Sequence, residues 1–584
     1  MINKRIRSLG LLGGLLVCVA AHGLSAQESP FQPKGKSPFQ PKAKSPFTPV
    51  PSSPGDSDGE QTNKSETSAS SRPSRGPTKF RHGKYVTMIS PDDGWRYEPP
   101  QVPDLDFEPQ QVDVPGLDFQ DTIKQFDVNR AGTLGTMTVQ RGFGNTQIKV
   151  MDFQQGTIVA SVVTPKEVLV LDIDNHQQRL LLLSNRNSIG ERFEVGTFLY
   201  GDSVLTEESV FAPFPDLNLS ARNVTSANFV GEHELVAVSQ SGRVSVWNLE
   251  TLREECGFDL KAGANVVCGP DPDMIAFADD EKFGIFHVGR QEFLGVAQIP
   301  EGMKSPQIAI SPSGTRLALA EGDQAVVVDT INGHVIETIP LAEKLLRDLE
   351  FATDEFLLVS HGALYSIADR MLLWDYTGAD QAESLGNMTL FVSQGPSDKG
   401  SVIPATLPDA KAQAARDVAH AQPELFVVRP GDSVQIDVTN VPTQYRKTVQ
   451  DALTEQVQDR DLTVVEESDV VLIATITGPE QKVYEYGGFG SINGGAGYVI
   501  SEFVSTLEIR WKDQVAWSKQ RTNAPGSVSA EQGKSYQDVL REKTKTPNLR
   551  VFEQAGFPTY VRKPSKGPAQ SEQALGKSVI NSLR

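Results

Sequence analysis

The chain reads as mainly β: a six- or seven-bladed β-propeller, then a smaller α+β domain, behind a disordered N-terminal linker. Three observations carry that expectation. Four segments between 227 and 378 superimpose with steps of 39, 42 and 41 residues, residues 131–404 are almost free of helical periodicity, and a helical pattern stands out at 443–460. The 584 residues leave room for three or four domains at about 150 residues each. Three cysteines and the lack of a heptad run exclude a disulfide scaffold and a coiled coil. A mean hydropathy of -0.29 with one short apolar run excludes a polytopic membrane protein. The formal net charge is -19, and residues 81–584 carry -25 once +3 on 1–26 and +3 on 27–80 are set aside. That balance argues against general affinity for nucleic-acid phosphates.

Residues 1–26 read as a secretory signal. Lys4, Arg5 and Arg7 form a positive start, and residues 9–21 form an apolar run too short to span a bilayer. Cleavage is expected after Ala26 or Ala21, each preceded by small residues. Cys18 suggests a lipoprotein, but Val17 stands where Gly or Ala is expected. An uncleaved anchor is the other alternative. Residues 27–80 form a Pro/Ser-rich linker whose eight-residue repeat starts at Ser29, Ser37 and Ser45. Its prolines block helix and sheet ladders, so it reads as a disordered spacer or a docking tail. Residues 81–130 are expected to be extended. VPDLDF (102–107) and VPGLDF (114–119) supply the anchors Leu105, Phe107, Leu117 and Phe119.

The propeller is expected over 131–404. Phe229, Cys268, Ile310 and Phe351 occupy equivalent places on four first strands. Second strands follow at 235–238, 274–277, 317–320 and 356–359, and third strands end near Trp247, Val288, Val328 and Asp369. Four strands in about 40 residues make one blade, which buries its faces only against neighbouring blades. Residues 147–163 read as the last two strands of a blade begun at 387–403, closing the ring from both ends. A pair of β-sandwiches is the alternative. The pattern resembles the WD40-like and quinoprotein-like propeller repeats of exported bacterial proteins, of planctomycete type. Its signature residues are sparse: Trp374-Asp375 is the one Trp-Asp pair, with Trp247-Asn248 as a variant, and Gly333-His334 follows a third strand instead of opening a repeat. The resemblance implies a rigid disc with binding loops for a protein or peptide.

Residues 405–423 read as a helical linker and 424–560 as the α+β domain. Tyr445, Val449, Leu453 and Val457 recur every four residues, giving one amphipathic helix against strands at 462–467, 469–478, 498–511 and 514–520. A helix on an antiparallel sheet is expected. The helix and the following LTVVEESD resemble small domains of bacterial envelope lipoproteins and assembly factors. The tail, 561–584, is expected to lie extended.

No residue is predicted to be catalytic, to bind a cofactor or to bind a metal. Gly487, Gly488, Gly490, Gly494, Gly495 and Gly497 lie between two strands, whereas a phosphate cradle opens a helix. Gly533-Lys534-Ser535 and Gly576-Lys577-Ser578 lack the P-loop's earlier glycine, because Val528 and Ser571 stand there. His233-Glu234 lacks the second histidine of a zinc-protease helix, although His176 and His233 share a blade position. Asp271, Asp273, Asp279 and Asp280 read as solvated turns, lacking the calcium-loop spacing. Cys256 and Cys268 read as free thiols, on strands too far apart to bridge. The expected function is therefore an exported binding or scaffold protein, non-enzymatic, recognising a protein or an envelope polymer. Periplasmic, envelope-associated or extracellular placement is expected, with no nucleic-acid partner and no transmembrane helix after signal cleavage. The alternative is a periplasmic propeller enzyme: a quinoprotein dehydrogenase, for which only 366–374 approaches the repeat, or a hydrolase or lyase using acids such as Asp172, Asp174 and Glu234.

Overall fold

A computed structural model describes residues 83–583, except for 92–93, 101–104, 118–120, 142–144, 165–166, 175–177, 185–192, 302, 342–345, 347, 395–398, 487–495, 525–534, 554–556 and 565–573. The expected signal at 1–26, the repeat segment at 27–80 and most of the glycine-rich stretch thus lie outside the described residues.

Apolar runs broken by turn residues fold into successive antiparallel meanders. Among the described residues these form seven blades: 122–164, 168–211, 224–259, 265–298, 307–340, 349–377 and 381–405. Each innermost strand touches the next, and that of blade seven touches that of blade one, so the ring is closed. The mainly β propeller expected from the repeats is present, with seven blades. Phe229, Cys268, Ile310 and Phe351 pair with Leu235, Ile275, Leu317 and Leu357, confirming their equivalence on innermost strands. The cores lie between blades, as with Phe258, Phe277, Phe286 and Phe293, whose ring centroids sit 4.8–5.8 Å apart.

Closure differs from the expected scheme. Blade seven supplies three strands, and its outermost fourth is Val112–Pro115, paired antiparallel with Lys399–Ala405. Residues 147–163 instead complete blade one, whose first strand Thr122–Val128 lies ahead of position 131. The reason is local: Val112, Val114 and Leu117 alternate into the core beside Phe126 and Met151, so the second VPGLDF echo is a ring strand. Leu105 is half-buried against the turns at Gly132 and Gly386, Phe107 packs on the same core, and Phe119 lies outside the described residues. Ahead of them, Trp95 packs over Gly295 and Gly333, where a Cβ would collide with its ring, and donates its indole N–H to the Thr330 carbonyl.

Two blades gain a fifth strand from distant chain. Lys84–Tyr85 runs parallel to the outer strand Arg253–Asp259 of blade three. Gly576–Val579 runs parallel to the outer strand Met371–Thr377 of blade six. Of the described tail residues, Val561–Arg562 and Gly576–Val579 are strands and Ile580–Ser582 form a 3-10 turn. Ile580 is fully buried, and Trp374 donates to Ser578 Oγ at 3.0 Å.

Helix α1 (Ala410–Ala421) is capped by Asp409 and packs on blade six through Ala412. Helix α2 (Thr443–Gln458) buries Val449, Leu453 and Val457, with Tyr445 alongside, as its four-residue spacing predicts. Its sheet is mixed, not antiparallel. Ser433–Asn440 runs parallel to both Thr463–Val464 and Val470–Tyr486, because α2 is the crossover between them. Val470–Tyr486 and Ala496–Trp511 make a long hairpin, followed by Gln514–Thr522. Helices α3 (Tyr536–Lys543) and α4 (Arg550–Glu553) complete the domain. Cys256 is buried in the outer strand of blade three and Cys268 ends the innermost strand of blade four; both are free.

Candidate functional site

Four innermost strands carry an acid: Asp127 in blade one, Asp172 in blade two, Glu350 in blade six and Glu383 in blade seven. Asp348 precedes the strand of Glu350. All five are half-buried. Burial pushes the carboxyl groups of Asp127, Glu350 and Glu383 well above the ordinary range, and mutual repulsion among these acids and Asp348 adds to it. Asp172 is pushed up to about 6 by burial, against the steadying effect of the Phe229 amide and Arg130. Arg130 reaches from blade one to donate to the Phe229 carbonyl at 3.0 Å and also bonds Cys268. The closed ring therefore brings these carboxyl groups within electrostatic range of one another, with Arg130 as the cation beside Asp172.

Sequence reasoning singled out only Asp172 from this set. The usable signal was an acid on the buried first strand of a blade, in LVLDI and QAESL alike. Asp174 does not join it, since it pairs with Arg179 at 3.5 Å, and Glu234 accepts the His233 amide at 3.1 Å. His233 is a half-buried turn residue 3.6 Å from Glu250, and His176 lies outside the described residues. Asp271 and Asp273 sit before the strand Met274–Ala278, and Asp279 and Asp280 after it, so the two pairs cannot share one ion. Asp279 accepts the amides of Lys261, Glu281 and Lys282. Gly497 lies in the hairpin strand; Gly487, Gly488, Gly490, Gly494, Gly495 and the Gly533-Lys534 pair are outside the described residues, and Gly576-Lys577-Ser578 is a strand.

A second group of charges fixes the C-terminal domain to the ring. Asp323, in a turn of blade five, meets Lys519 at 3.0 Å and Arg521 of the strand Gln514–Thr522. Despite the burial that opposes ionisation, the two cations hold the Asp323 carboxyl below its ordinary range. Asp369 of blade six likewise accepts Arg416 at 2.9 Å and His420 at 3.0 Å from α1. Ser366 donates to Asp369 at 2.6 Å, not to the imidazole, so Ser366, Asp369 and His420 are not ordered as a nucleophile, base and orienting acid. These residues pin α1 to the blade. No family model and no curated protein matches the chain.

Proposed function

We propose that the protein is an exported, non-enzymatic scaffold that recognises a protein or envelope component, and that its propeller presents the principal binding surface. The observation that carries this reading is the closed seven-bladed ring, joined to a second fold by the ion pairs of Asp323 with Lys519 and Arg521. A rigid disc of this kind offers loops preset for binding, and its loops need little ordering when a partner docks. The charge of residues 81–584 favours a basic partner, whose approach is accelerated by the field of the protein. The apolar run and small residues at 9–26 support export.

The test is capture from an envelope extract by the whole mature chain at about 50 and about 300 mM salt. The whole chain is needed because the strand at 112–115 completes blade seven and the one at 576–579 extends blade six. The expected result is a retained partner whose binding weakens as salt rises. Retention of nothing, together with turnover of a sugar or alcohol substrate, replaces the scaffold by the propeller enzyme.

A further inference from the structure

The hairpin of Val470–Tyr486 and Ala496–Trp511 reaches beyond the other strands of its sheet. Gln514–Thr522 accompanies the second hairpin strand only as far back as Val504, and Ser433–Asn440 accompanies the first only as far as Thr475. The outer part of the hairpin is therefore a two-stranded arm, with residues 480–486 against 496–502. Both edges of such an arm carry unpaired backbone groups. The edge of the second strand is closed by side chains. Gln537 of α3 donates to the Val499 carbonyl at 2.6 Å and accepts from the Val499 N–H at 3.2 Å. Asn523 accepts from the Phe503 N–H at 2.9 Å and donates to the Ser501 carbonyl at 3.1 Å. The two carboxamides take the place of a neighbouring strand.

The edge of the first strand has no such cover. Val483 lies directly opposite Val499. Opposite residues of an antiparallel ladder exchange both backbone bonds or neither, and both Val499 groups are spent on Gln537. The N–H and C=O of Val483 therefore point away from the hairpin, as do those of Gln481 and Glu485 two residues to either side. Among the described residues no strand pairs with this edge, and residues 477–483 are all exposed. Val483 is 68% exposed, more than any other large hydrophobic side chain among the described residues, and Val499 beside it is 42% exposed. Open edges are commonly guarded by a lysine or a proline. Here Lys482 is paired with Glu502 across the hairpin, and Pro479 stands at the base of the arm, at the register shift between Thr477 and Glu480.

We propose that a second copy of this chain adds to the open edge, so that two hairpin arms join into one four-stranded antiparallel sheet about a two-fold axis at Val483. The sequence of the edge fits itself. A register centred on Val483 sets Val483 against Val483, Lys482 against Tyr484, Gln481 against Glu485 and Glu480 against Tyr486, so no two like charges stand opposite. Centring on Lys482 or Glu485 sets like charges face to face, and centring on Tyr484 sets Val483 against Glu485. Centring on Gln481 sets Val483 against Pro479, which has no N–H to give. In the Val483 register, Val499 and Val483 of one copy and Val483 and Val499 of the other form one stripe across the sheet, which takes the most exposed apolar side chain out of water. The contact is isologous, so it closes at two copies. It stands apart from whatever the propeller captures.

The test is sedimentation velocity of the whole mature chain and two variants, from about 1 to about 100 µM. The wild type is expected to pass from monomer to dimer across that range. Val483→Lys and Val483→Glu each set like charges opposite across the two-fold axis, and each alone is expected to weaken the dimer about tenfold or more. An equimolar mixture of the two variants sets opposite charges there and is expected to regain most of the association. Damage to the fold by either substitution gives no such recovery, and the exposure of Val483 leaves the core untouched. A monomer throughout the range, a dimer that both variants leave unchanged, or weakening by both without recovery in the mixture overturns the proposal. Capture of an envelope partner by a chain that stays monomeric leaves the scaffold reading standing without this contact, whereas a dimer that captures nothing removes that reading and keeps the contact.

Discussion

The acids of the axis and the acids of the flank are the same side chains put to opposite use. Asp323 and Asp369 each face at least one arginine, and their carboxyl groups are held below the ordinary range. Asp127, Glu350 and Glu383 face one another, and theirs are pushed up. The flank acids therefore stabilise the fold as it stands. The axial acids oppose it at neutral pH, and a cation brought by a partner is what would relieve them. Charge count alone hides this difference, because both groups contribute equally to -19.

The largest effect is expected at the domain junction. Asp323→Ala leaves Lys519, 9% exposed at its side chain, without its anion. Breaking a fully buried pair costs roughly 3–5 kcal/mol, and the partial access of water here reduces that to about 2 kcal/mol. Urea unfolding followed by tryptophan fluorescence, with Trp517 on the same strand as Lys519 and Arg521, reads the loss. An unchanged midpoint breaks the assignment of Asp323 as a stabilising contact. The pH dependence has a fixed sign: the folded pKa of Asp323 is depressed, so its contribution is complete above the unfolded value of about 3.9 and is lost as pH falls through the folded one.

A smaller loss follows Asp369→Asn, about 1 kcal/mol, since its partners Arg416 and His420 are partly exposed. The readout is local. Amide exchange in α1 should quicken while the inner strands of blade six keep their protection. Equal acceleration in both would show that Asp369 supports the blade itself and does not pin the helix.

How much of this was legible depends on range along the chain. The blades are meanders whose strands pair with sequence neighbours, so the period and the equivalence of Phe229, Cys268, Ile310 and Phe351 could be read directly. The strand Val112–Pro115 pairs with residues near 400, and Gly576–Val579 pairs with residues near 375. Nothing local in VDVP or GKSV states such a partner, and proline at 115 argues against a strand unless it lies at an edge, where it does lie. The parallel pairing of Ser433–Asn440 was missed because α2 had been read as preceding the sheet, not as crossing between its strands. The site was harder still. Asp172 was visible as an acid, but its neighbours Asp127, Glu350 and Glu383 come together only when the ring closes, from both ends of the propeller sequence.

The last predicted effect probes the axis and separates it most clearly from the flank. Glu383 has its carboxyl raised by burial first and then by Asp127, Asp348 and Asp172. In the folded chain such a group holds its proton more tightly than in the unfolded one, so protonation favours folding. Its contribution is complete below the unfolded value, about 4.3 for glutamate, and is lost as pH rises through the folded value. Asp172, at about 6, places the upper end of its own window there. Glu383→Gln removes the charge and keeps the shape, so it should raise the melting temperature at pH 7.5, by the equivalent of about 1 kcal/mol, and leave it nearly unchanged at pH 4.5. That is opposite in sign to Asp323→Ala. Calorimetry of both variants at the two pH values reads the contrast. If Glu383→Gln lowers the melting temperature at pH 7.5, the axial acids are already compensated within the ring, and a cation brought by a partner has nothing there to relieve.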